Sequence, residues 1–176
     1  YHFRNAAEVT ASCRMIKSST ELALMQRAKN ITLEVHKCAA RILAPGVTTT
    51  EVEAFIHAAH KAAGASAGSY FCIVLFGEAT AYPHGVKDPQ VLQDNDMVLI
   101  DTGCQLEGYI SDITRSYVYG EISDRQRQIW NLEKEAQAAA FAAAKIGQPC
   151  SAVDTAARKA LEAQGLGPGY NIPGLP

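Results

Sequence analysis

An α+β domain, built from a helix–helix–hairpin unit that occurs twice about a pseudo-twofold axis and is incomplete in its second copy, is the fold class this sequence predicts. Three observations predict it. Two pairs of helices carry recognisable caps, a β-rich hairpin lies between them, and the two pairs match at a constant offset of 101 residues. A chain of 176 residues is long enough to bury one real core, and 48% apolar with 19% charged residues is ordinary globular composition.

Ser18-x-x-Glu21 has the pattern of a capping box, in which the first side chain accepts from the third residue's amide and the acidic group reaches back. Leu24, Ala28, Ile31, Val35 and Ile42 follow at helical spacing, and Pro45-Gly46 stops the run. Thr48-x-x-Glu51 caps a second helix that Gly64 ends. Strand signals occupy Tyr70 to Phe76 and Met97 to Tyr119. Ser123-x-x-Gln126 then opens another long helix through Ile129, Leu132, Ala136, Ala140 and Ala143. Gly147-Gln-Pro-Cys-Ser151 leads into a shorter one ending at Gly165.

The repeat follows from these caps. Setting Gly46 on Gly147 places Thr50 on Ser151, Val52 on Val153, Glu53 on Asp154 and Gly64 on Gly165. Pro176 then corresponds to a position inside the strand before the first hairpin, so a second hairpin is expected beyond it.

The hairpin carries the chemistry. Val98, Leu99 and Ile100 run into Asp101, Gln105-Leu-Glu-Gly108 supplies a turn, and Tyr109 to Tyr119 is rich in β-branched and aromatic residues. With Gln105 set against Gly108, Asp101 stands directly opposite Asp112, the two Cβ atoms roughly 5 Å apart. Like charges so placed repel, and two oxygen-seeking cations about 3.5–4 Å apart would relieve that and favour hydrolysis. The bland alternative is a solvated strand face compensated by water and Arg115. A three-residue loop with a bulge at Gly108 would also turn one carboxylate away.

A net charge of −2 gives no electrostatic footprint for nucleic acid or anionic membrane, and no run approaches the roughly 18 apolar residues of a membrane span. Neither partner is expected. The five cysteines are scattered and contain no C-x-x-C, reading as reduced, mostly buried thiols of a cytoplasmic protein.

Asp101-x-Gly103, then Tyr109-x-Ser-Asp112-x-Thr114-Arg115, with His84-Gly85 upstream, resembles the pita-bread metallopeptidases (the creatinase/aminopeptidase-like fold). Within them it is similar to Xaa-Pro dipeptidase (prolidase) and aminopeptidase P, over most of Arg14 to Pro176. The resemblance implies a dinuclear site of two Asp, one His and two Glu. Asp101 and Asp112 match the two Asp ligands, and the other three are expected beyond Pro176, towards which Gly174-Leu-Pro176 is similar to a lead-in. Residues 1–176 are thus expected to be part of a catalytic domain, with an N-terminal domain and the remainder outside this chain. By the same resemblance the metal is Mn²⁺, with Co²⁺, Zn²⁺ or Fe²⁺ open. His84 would hydrogen-bond the substrate or tetrahedral intermediate, and Thr114 would orient Asp112 through its hydroxyl.

The implied reaction is hydrolysis of the Xaa-Pro bond of a dipeptide or short peptide by a homodimer. The rivals are aminopeptidase P activity, a non-catalytic module that binds peptides or proteins, and a metal-free hydrolase of a small guanidino or amide compound. The last two commonly lose the carboxylates that this chain keeps. His84 alone reads equally as a turn residue, and Thr114 as a strand former. His57 and His60 read as a solvated helix face, since no third ligand accompanies them.

Overall fold

The computed structural model describes residues 4–167; the Gly174-Leu-Pro176 lead-in lies outside the described residues. The chain divides into two compact units, Tyr1–Glu121 and Ile122–Pro176.

The first unit opens with helix α1 (Ala7–Met15), which buries no residue. Helix α2 (Ser19–Ile42) starts at the expected capping box. Ser18 Oγ accepts from the Glu21 amide at 3.3 Å, and Glu21 Oε2 accepts from the Ser18 amide at 2.6 Å. Thr48 and Glu51 cap helix α3 (Thr49–Ala62) in the same reciprocal way. Strand β1 (Ser69–Phe76) and a 3-10 turn (Gly77–Ala81) precede the long strand β2 (Met97–Leu106). After the hairpin turn come the short strand β3 (Tyr109–Ile110) and strand β4 (Ile113–Val118).

β2 is the middle of an antiparallel sheet, with β1 along one edge and β3 then β4 along the other. One face of the sheet packs on α2 and α3. Val35, Ala39, Val52 and Ile56 from the helices meet Val74, Val98 and Ile100 from the strands, each 2% exposed or less. Alternation along β2 therefore assigns Val98, Ile100, Thr102 and Cys104 to the helix side, and Asp101 to the other. Tyr109 fastens the hairpin tip to the start of α2 by donating its hydroxyl to Glu21 Oε1 at 2.7 Å. With its amide donor from Ser18, that bond holds the Glu21 carboxyl down at about 2.

In the second unit, α4 (Asp124–Ala143) begins at Ser123, whose capping box with Gln126 is formed, and α5 (Cys150–Glu162) follows a turn at Gly147. The predicted correspondence of the helix pairs holds. Gly46 and Gly147 both have positive φ (92° and 83°), as do Gly64 and Gly165 (106° and 74°). The same offset carries the last residue of α2 onto the last residue of α4.

The five cysteines are unpaired. The expectation that they are mostly buried is corrected: only Cys104 is, while Cys13 and Cys150 are exposed because α1 and α5 bury none of their residues. Among the described residues no helix is long and apolar enough to cross a membrane.

Candidate metal centre

The hairpin register differs from the expected one. Gln105 faces Ile110 and Leu106 faces Tyr109, so the turn is Glu107-Gly108, both residues left-handed (φ 49° and 86°), a type I′ geometry. Asp101 consequently faces Thr114 rather than Asp112. The slip is by two positions, which preserves the face. Asp112, two residues before Thr114, brings its carboxyl within hydrogen-bonding reach of Asp101.

Asp112 sits where the ladder is interrupted, between Ile110 and Ile113. Gly103 makes that geometry possible. A Cβ there would drive into the Ser111 carbonyl and the Phe71 ring, so only glycine lets the Ser111 backbone lie so close to β2.

Neither carboxyl is in an ion pair among the described residues. Partial burial, and then the neighbouring Asp101 charge, raise the Asp112 carboxyl above its usual value. Asp101 Oδ1 is buried and has no hydrogen-bond partner among the described residues. Arg115 does not fill the gap, because it faces Ile100 on the helix side and donates to the Thr114 carbonyl at 2.8 Å. A buried oxygen without a donor, beside a second carboxyl, is a donor set suited to a hard divalent cation. Among the described residues no cluster of three or more potential ligand side chains forms.

His84 is exposed, in a tight turn closed by the Gly85 amide donating to the Tyr82 carbonyl at 2.9 Å. The turn lies against the sheet face that carries Asp101. A Cβ placed on Gly85 would come within van der Waals range of Leu75 and of Ile73, the β1 residue opposite Asp101. His84 and Ile73 line the same open groove of about 250 Å³. The loop's far end is anchored to the α2–α3 connection by Leu92 and Gln90, each bonded to that backbone.

Three polar residues behind the sheet were not legible as parts of this site. His60, read from its spacing as solvated, is fully buried, as is Thr32; His36 is 7% exposed. His60 Nε2 lies 3.1 Å from Thr32 Oγ1, which lies 2.8 Å from Ser111 Oγ, while His60 Nδ1 meets Ser69 Oγ at 2.9 Å. Ser111 Oγ also accepts from the Cys104 amide at 2.9 Å. Burial lowers His60 to about 4 and lowers His36 as well. The His36 Nε2–H donates to the Ile113 carbonyl at 2.9 Å, leaving Nδ1 buried without a partner among the described residues. The only hint in the sequence was the register of Thr32 and His36 beside the apolar stripe of α2.

A helix-backed sheet presenting two aspartates on its outer face defines a candidate centre for divalent metal ions. The chain belongs to metallopeptidase family M24, whose model matches residues 23–173. It is 32% identical over 165 residues to an Xaa-Pro dipeptidase of Pyrococcus furiosus, which takes in 94% of this chain and 47% of that protein. In structure it is similar to a prolidase from Pyrococcus horikoshii (TM-score 0.90, 31% identity, 97% of this chain and 49% of that one). An X-Pro aminopeptidase from Thermotoga maritima is also similar (TM-score 0.85, 30% identity, 90% and 45%). The chain thus spans about half the length of the relatives it matches. Its fold is part of the pita-bread fold of that family, and membership implies divalent metal ions.

Proposed function

We propose that the full-length protein hydrolyses the Xaa-Pro bond of dipeptides with two divalent metal ions, and that Asp101 and Asp112 are two of their ligands. The observation that carries this reading is the buried, unpartnered Oδ1 of Asp101 beside the Asp112 carboxyl, in a chain of family M24. When bound, such ions supply a water nucleophile at neutral pH and polarise the scissile carbonyl. Asp101 and Asp112 would hold the ions through their carboxylate oxygens. His84, in the turn beside Asp101, would donate a hydrogen bond to the substrate or the tetrahedral intermediate. Thr114 would orient a carboxylate through its hydroxyl. Its place opposite Asp101 favours that partner over Asp112.

Carboxylate oxygens favour Mn²⁺, with Co²⁺, Zn²⁺ and Fe²⁺ as alternatives. Five unpaired thiols favour the cytoplasm. A homodimer rests on the resemblance alone. Release of an N-terminal residue before proline is the second reading, favoured by the similarity to the Thermotoga maritima aminopeptidase. A purely binding module is disfavoured by retention of both carboxylates.

In the full-length protein, Asp112→Ala is expected to lose Mn²⁺ on dialysis and to lose Gly-Pro hydrolysis. A variant keeping both would remove Asp112 from the site. His84→Ala should keep its metal while kcat falls about 10²-fold; metal loss would make it a ligand instead. A proline-second tripeptide hydrolysed faster than Gly-Pro would decide for the aminopeptidase.

A further inference from the structure

We propose that Thr32 and His36, one turn apart on α2, are positioning residues that hold Asp112 from behind the sheet. The inference rests on the reading of Asp112 as a metal ligand. Asp112 lies in the gap between β3 and β4, so the regular ladder that fixes Asp101 on both sides does not fix it. Its neighbours carry the restraint. Ser111 Oγ meets Thr32 Oγ1 at 2.8 Å, and the Ile113 carbonyl accepts from His36 Nε2 at 2.9 Å. The two grips fall on either side of the aspartate. They come from one rigid helix face, because residues four apart on a helix stack one above the other.

The grip is itself backed. Thr32 has His60 behind it, and His60 has Ser69 behind it at the start of β1. Two proton assignments satisfy the chain: one runs from Ser111 through Thr32 and His60 Nε2 to Ser69, and the other runs in reverse and ends with Ser111 donating to the Cys104 carbonyl at 3.2 Å. Ser111 is buried against α2 and the next residue, Asp112, is exposed, so holding the first restrains the backbone that carries the second. A stiff aspartate suits a metal ligand. Two adjacent anionic carboxyls repel until cations bind, and a loose strand would relax by moving Asp112 away.

Such supports are commonly worth 10–100-fold in metal affinity. The test titrates Co²⁺ alone, without substrate, into metal-free full-length protein and follows its visible absorption. Thr32→Val, which keeps the shape and deletes the hydroxyl, should weaken Co²⁺ binding by about 10–100-fold with helix content unchanged. Thr32→Ser should bind within about threefold of the unmodified protein. Co²⁺ affinity unchanged in Thr32→Val, even with lowered thermal stability, would overturn the proposal and leave the network a purely structural one. Equal weakening in Thr32→Ser would overturn it too. If Thr32→Val does not fold, Ser111→Ala removes the other partner of the same bond, and unchanged affinity there overturns the proposal equally. An unmodified protein that binds no Co²⁺ would instead sink the metal reading itself.

Discussion

The two faces of β2 make opposite demands on neighbouring residues. On the helix side, Val98, Ile100, Thr102 and Cys104 are all fully buried. One step along the strand, Asp101 holds a buried oxygen with no partner among the described residues, next to another carboxyl. The first arrangement lowers the free energy of the fold; the second raises it unless a cation arrives. A strand can carry both because successive side chains alternate, so the cost of the site is met by the packing directly beneath it. The comparison also shows where the faces are coupled. At Gly103, Ser111 and Asp112 the backbone itself is shared.

Gly103→Ala is therefore the largest perturbation available. Its Cβ would collide with the Ser111 carbonyl, which is backbone and cannot swing aside. Both faces should fail together. Urea unfolding should show a loss of about 4 kcal/mol or more, among the largest expected for one substitution, and bound metal should be lost. Retained metal with intact stability would mean that Ser111 can retreat from β2, and that the glycine is not what sets the spacing.

A pair of substitutions separates the faces. Ile100→Ala empties a fully buried site in the core and should cost about 2–5 kcal/mol, with Co²⁺ affinity little changed. Asp101→Asn should do the reverse. It removes one of two adjacent carboxylates, so the metal-free protein should gain up to about 1 kcal/mol while metal binding is lost. A metal-free Asp101→Asn variant less stable than the unmodified protein would show that the carboxylate has a structural partner.

Much of this was legible in the sequence. All three capping boxes formed at the positions their Ser/Thr-x-x-Glu/Gln patterns indicated, because a cap is a local device complete within four residues. The paired aspartates were found on one face for a weaker reason: the register error was even. The turn was misread because Glu107 takes the left-handed conformation that a type I′ turn more often gives to Asn or Gly. Helix α1 went unseen since its start has no Ser/Thr-x-x-Glu/Gln capping pattern and its Ala6 N-cap makes no side-chain bond. Thr32, His36 and His60 were illegible for a deeper reason. A buried polar side chain differs from a solvated one only by partners far along the chain, here 28 to 79 residues away.

That distant partnership has a pH signature, which is the mildest of the expected effects. Burial lowers the His60 imidazole to about 4, against an ordinary value of 6.5, with the neighbouring His36 and His57 charges adding to the shift. The unfolded chain therefore takes up a proton near pH 6.5 that the folded chain refuses. Stability from His60 is fully present above pH 6.5 and falls as pH drops through the window towards 4. His36, also lowered mainly by burial, acts in the same direction, whereas the raised carboxyls of Asp112 and Glu53 act oppositely. Comparing unmodified protein with His60→Gln cancels these other groups. The stability advantage of the unmodified protein over His60→Gln should shrink by about 1 kcal/mol between pH 7.5 and 5.5. Curves of urea midpoint against pH that stay parallel would mean that His60 accepts its proton in the folded state. The Thr32–His60 contact would then have to survive with both imidazole nitrogens protonated and donating, a different chain of hydrogen bonds behind Asp112.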